Sequence, residues 1–126
     1  MRAIAVDYDQ YRPRYYGWKG QPITMEEWMA FYGTGDERRV AETRLPGGRW
    51  VSTVWLGLDH SFGSGGPPLI FETMAFTNSR TFEETACYRT ATVEEAREAH
   101  AFAVMEMTFH DPPVKRRQLI HNGRKP

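Results

Sequence analysis

The chain has 126 residues, 40% hydrophobic and 25% charged, with zero net charge and a single cysteine, Cys87. These proportions are those of one soluble domain with one core. The lone cysteine excludes an intrachain disulfide, and no segment approaches the roughly 20 apolar residues of a membrane span.

Residues 1–21 mix aromatic and basic side chains: Tyr8, Tyr11, Arg12, Arg14, Tyr15, Tyr16, Trp18 and Lys19. Ile4 and Val6 alternate with smaller or polar neighbours, which fits a short strand, and the rest reads as an extended arm. The opening MRAIAVDYDQ lacks the apolar run of a signal peptide. The arm's rings can stack on bases; the simpler expectation is that they pack on the arm's own domain.

Thr24 followed by Glu27 is a capping box, with Ile23 and Trp28 at the positions of a hydrophobic staple. This predicts a helix over 25–31, stopped at Gly33, with Trp28 and Phe31 on its buried face. Residues 40–45 (VAETRL) fit an edge strand, since neither face is strongly apolar. Pro46-Gly47-Gly48 is a turn signal, and residues 49–59 form the next strand of a hairpin. That strand carries Trp50, Val54, Leu56 and Leu58 on one face and Val51, Thr53 and Trp55 on the other, the pattern of a central strand. Residues 61–68 form a Gly/Pro loop, 69–76 (LIFETMAF) a strand, and 83–89 another containing Cys87. Thr92 and Glu95 make a second capping box, opening a helix over 93–107. Its buried stripe is Val93, Ala96, Ala99/His100, Ala103 and Met107. Asp111-Pro112-Pro113 ends it. A short element near 118–121 can follow in the tail.

The predicted fold is therefore α+β: an antiparallel meander of about four strands, a C-terminal helix packed on one face and a short N-terminal helix. The chain reads as a single domain, 1–126, with an aromatic and basic arm (1–21), a core (22–110) and a basic tail (111–126). Residues 112–126 hold five basic residues and no acid, so residues 1–111 hold 11 basic against 16 acidic. Such a tail is solvated or drawn to its own acidic body; the sharper reading is contact with nucleic acid or an acidic partner.

The segments WVSTVWLGLDHSFG, GPPLIFETM and TVEEAREAH, with GQPITMEEW and ERRVAET, resemble a family of short proteins encoded by phages of actinobacteria and by their hosts. The resemblance spans about residues 18–107 and transfers no functional residue. It implies a phage or mobile-element origin and a small accessory role: binding a host protein, or decorating or assisting a particle.

Asp59-His60, where a strand meets a glycine-rich loop, is one candidate for acid–base chemistry. Neighbours on a strand point to opposite faces, so the two pair only if the chain has already turned; Asp59 otherwise serves to close the loop through backbone N–H groups. Glu72 stands on an apolar strand face and needs a partner such as Arg44 or Arg89. His100 sits on the helix stripe facing the sheet. Asp59, His60, Glu72 and His100 form the best catalytic set the sequence offers. His60, His100, His110, His121, Asp59, Glu72 and Cys87 have no metal-ligand spacing, so no metal and no cofactor is expected. GSGGPP lacks the free N–H groups and following helix of a phosphate cradle. Cys87 reads as a small core residue.

These observations favour a non-enzymatic phage-type accessory protein that works by protein–protein contact or self-assembly as an oligomer. Its candidate contact residues are Tyr15, Tyr16, Trp18, Phe62, Lys115, Arg116 and Arg117. One alternative is a small enzyme built on the four acid–base residues. The other is a nucleic-acid-associated protein using the tail and arm. The expected location is cytoplasmic, that of the host if phage-encoded, or on a virion, with no membrane contact.

Overall fold

A computed structural model of the chain describes residues 14–32, 35–61, 65–78, 84–109 and 117–120, with the side chains of Tyr32 and 117–120 left aside. The strand expected at Ile4 and Val6 lies outside the described residues, as do Phe62, His110, Lys115, Arg116 and His121.

Strands β3 (Arg39–Arg44), β4 (Trp50–Trp55), β5 (Phe71–Phe76) and β6 (Glu84–Thr90) form the expected antiparallel meander. Strand β7 (Arg117–Ile120) adds to it, running parallel to β6 with Cys87 opposite Gln118. A two-stranded pair, β1 (Tyr15–Tyr16) and β2 (Pro22–Ile23), precedes helix α1 (Met25–Tyr32). Helix α2 (Val93–Phe109) lies across one face of the large sheet.

Both helices begin as the capping boxes require. The Thr24 amide donates to Glu27 Oε1 at 3.0 Å, and the Glu27 amide donates to Thr24 Oγ1 at 3.1 Å. At α2 the Thr92 amide donates to Glu95 Oε1 and the Glu95 amide to Thr92 Oγ1, both at 3.1 Å. Each box satisfies amides that have no partner inside the helix.

Alternation along the strands divides the residues between two faces. Val51, Thr53 and Trp55 on β4 and Phe71, Thr73 and Ala75 on β5 turn toward α2 and are buried. Ala96, Ala99, His100, Ala103 and Met107 meet them from α2; the alanines let the helix sit close to the sheet. A second cluster, Tyr16, Trp55, Ile70, Phe71 and Ala96, forms where β1, β2 and α1 close one end of the sheet. On the opposite face Trp50 stacks on Phe76 with ring centroids 4.4 Å apart, and the Arg44 guanidinium lies over Trp50.

Two boundaries depart from the sequence expectation. The strand predicted to reach residue 59 stops at Trp55, because Gly57 takes φ +71° and breaks the extended path. Leu58 then makes an isolated bridge with Tyr15. Phe31, expected on the buried face of α1, is 50% exposed, although its ring meets Trp55 edge-on. An eight-residue helix is held through one side, and Trp28 takes that side.

Candidate functional site

The Asp59 carboxylate closes the loop between β4 and β5. Its Oδ1 accepts the Ser61 amide at 2.8 Å and the Leu69 amide at 3.0 Å, and its Oδ2 accepts the Ser61 hydroxyl at 2.9 Å. All three bonds are to groups of its own loop, which is how a short acid organises a turn. His60 points elsewhere: its Nδ1–H donates to the Leu58 carbonyl at 2.9 Å.

Glu72 lies on the sheet face turned away from α2. Its partner is Arg89, directly opposite on β6, with Nε to Oε2 at 3.0 Å and both side chains only 13% exposed. The Cys87 thiol donates weakly to the same oxygen at 3.8 Å. Burial, reinforced by the Glu72 charge, pushes the Cys87 thiol up to about 12. A nucleophile needs the thiolate, which burial disfavours at Cys87, so this buried thiol reads as a core residue.

His100 lies on the other face, between α2 and the sheet. Its Nδ1 is 2.8 Å from Thr53 Oγ1 and its Nε2 is 2.8 Å from Thr43 Oγ1. Thr53 Oγ1 is in turn 2.7 Å from Thr73 Oγ1. Desolvation by burial lowers the His100 pKa below the usual imidazole value. The sheet therefore separates His100 from Glu72, and Asp59 is bound up in its loop. The four residues do not assemble into an acid–base centre. Among the described residues no group of three His, Cys, Asp or Glu side chains is placed to hold a metal ion.

The sequence shows a threonine on each of three successive strands, but which of them meet is set by the strand register. Arg49 was another unmarked residue. Its guanidinium donates to the Pro46 carbonyl and to the Met107 carbonyl, clasping the last turn of α2.

Among the described residues of the arm, the aromatics Tyr15, Tyr16 and Trp18 pack inward. Tyr16 is buried, its amide donates to the Gly57 carbonyl at 2.8 Å, and its carbonyl accepts Trp55 Nε1 at 2.9 Å. Tyr15 lies 5.1 Å from the Trp28 ring, and Trp18 meets Phe71 edge-on at 5.8 Å. Arg117 falls within β7. A cleft of about 380 Å³ opens between Trp18, Lys19, Pro67, Pro68, Val93 and Glu94. The amides of Ala91 and Thr92 at its edge are already engaged by Glu95 Oε1, so that part of the helix start has no donor left for an anion.

Among the described residues, the exposed large apolar side chains lie on the helices. On α1, Met25 and Met29 are 48% and 58% exposed, one turn apart, with Phe31 on the flank. On α2, Met105 and Phe109 repeat the same spacing near its end. Trp28 fixes α1 from beneath: its Nε1–H donates to the Leu56 carbonyl at 2.9 Å. No helix is long and apolar enough to cross a membrane among the described residues. No family model, curated protein or solved structure matches the chain.

Proposed function

We propose that this chain is a non-enzymatic accessory protein that works by gripping another protein with the outer side of α1. The observation that carries this reading is the exposure of Met25 and Met29 on a helix of eight residues. A helix this short has little stability of its own. Here it is pinned by Trp28 and Phe31 and turns its methionines to solvent. Methionine side chains adapt to irregular apolar surfaces and are favoured where one protein meets another. The resemblance to short phage-encoded proteins supports an accessory role of this kind, in host-protein binding or as a particle component.

The partner is a different protein rather than a second copy. Glu26 stands beside the methionine pair and Glu37 follows the helix, both exposed, while Asp36 is paired with Arg39 at 3.4 Å. A two-fold pairing of this face would bring like charges together. The test compares the unmodified chain with the double variant Met25→Asp, Met29→Asp as bait in host lysate. A partner captured by the first and lost by the second, at unchanged melting temperature and with both baits monomeric by light scattering, is the expected result. Equal capture by both baits, or a dimer that dissociates in the double variant, would refute it.

A further inference from the structure

His100, on α2, is hydrogen-bonded to two strands at once. It meets Thr43 on β3 and Thr53 on β4, and through Thr53 it reaches Thr73 on β5. Each hydroxyl has one proton to give and can also accept. The neutral imidazole is therefore satisfied in either tautomer. If Nδ1 carries the proton, Thr53 accepts it and donates to Thr73; if Nε2 does, the Thr53 hydroxyl donates to Nδ1 and accepts from Thr73. The imidazolium is satisfied as well, donating to Thr43 and Thr53 together. Protonation breaks no hydrogen bond; it adds a charge.

The surroundings decide what that charge does. From β3 the neighbours on this face are Ala41 and Thr43, with Glu42 and Arg44 on the other face by alternation. From β4 they are Val51, Thr53 and Trp55, and Arg49 is drawn off to the Met107 carbonyl. From β5 they are Phe71, Thr73 and Ala75, with Glu72 turned away; from β6 they are Ala86, Tyr88 and Thr90, with Arg89 turned away to Glu72. On α2 itself Arg97 and Glu98 are exposed, Glu94 lies exposed in the first turn, Glu95 closes the capping box, and Glu106 accepts the Tyr88 hydroxyl at 3.0 Å. None of these is a counter-ion in contact with the ring. A charge buried without one destabilises the packing around it.

We infer that His100 is an acid-sensitive latch on the seam between α2 and β3: neutral, it ties the helix to the sheet; protonated, it opens that seam while β4, β5 and β6 stay paired. The sign follows from burial. The closed state binds the proton more weakly than an open state with an ordinary imidazole, so the latch is fully in force above pH about 6.5. Its contribution is lost progressively as pH falls below that value.

Amide hydrogen exchange on the full chain tests the inference. After correction for intrinsic exchange, opening of α2 at residues 96–103 and of β3 is expected to rise by up to about thirtyfold between pH 7.5 and 5.0, the response of one proton taken up near 6.5. In His100→Asn, which keeps a group able to bond Thr53, that rise should shrink to about threefold or less, since no imidazole is left to titrate. In the unmodified chain the His100 ring resonance should titrate below 6.5, a reading that needs no variant to fold. Titration at or above 6.5, an undiminished pH response in His100→Asn, or equal acceleration in β4 to β6 would each overturn the latch.

Discussion

Gly57 shows how much of this fold rests on single positions. It takes φ +71°, and a Cβ there would come within 2.6 Å of Trp28 Nε1 and Trp55 Cζ2. Its carbonyl accepts the Tyr16 amide, while the neighbouring Leu56 carbonyl accepts Trp28 Nε1. Three elements, β1, α1 and the end of β4, thus converge on backbone that only glycine can supply. Both indoles are held by hydrogen bonds and cannot swing aside without breaking them. Gly57→Ala is expected to cost about 3 kcal/mol, combining positive-φ strain with overpacking. Urea denaturation of the two proteins checks this, and a loss below about 1 kcal/mol would show that the Trp28 ring can move. The consequence reaches the contact surface, because loosening Trp28 frees the helix that carries Met25 and Met29.

At the scale of elements, the pairing of β5 with β6 joins two oppositely charged side chains on the face away from α2. Glu72 and Arg89 are directly opposite in register and nearly buried. Removing one partner strands the other, so Glu72→Leu or Arg89→Leu alone should cost about 3 kcal/mol. The double change Glu72→Leu, Arg89→Leu leaves no charge to strand and should recover most of that loss. A double-mutant cycle by thermal or urea unfolding measures the coupling; additive losses would show that the pair is solvent-screened. The need for a partner at Glu72 was legible in the sequence because a carboxylate interrupted an apolar alternation. The capping boxes at Thr24 and Thr92 were legible because each is complete within four residues. The order of β3 to β6 followed from short turns between apolar runs. What escaped the sequence depends on position across the sheet. Thr43, Thr53 and Thr73 become neighbours only once the strand register is set, and His100 meets them only once α2 is docked. The end of β4 escaped because the close approach of two tryptophans, not local propensity, dictates the glycine conformation at 57. The exposure of Phe31 escaped because a short helix does not declare which of its sides faces the body.

The whole molecule is a sheet with unequal margins. At one margin β3 carries Arg39, Glu42 and Arg44, all exposed, and its register with β4 shifts between Arg39 and Ala41. Charge and irregularity are how a sheet edge resists pairing with another chain. Strand β6 has no such protection: Ala86, Cys87 and Tyr88 are each no more than 2% exposed, and β7 pairs along it from Ala86 to Arg89. Parallel β7 was barely legible, since four residues in a basic tail carry no strand alternation of their own and the partner is chosen by the finished sheet. The tail's five basic residues stand against an excess of five acids in residues 1–111, which favours holding it against the body. Deleting residues 111–126 would remove that pairing and leave the apolar margin of β6 open. The expected effect is a loss of about 2–4 kcal/mol, seen as a melting temperature lower by roughly 10 °C, from the lost ladder bonds and exposed side chains. Light scattering should then show concentration-dependent self-association through the opened edge. Adding salt distinguishes the two contributions in the intact chain: charge attraction is screened within about 10 Å at 0.1 M, whereas strand pairing is not. An intact protein whose melting point is insensitive to salt, with a truncated one that melts lower and associates, would place the stabilisation in the strand. A truncated chain that melts at the same temperature and stays monomeric would show that β6 needs no cover.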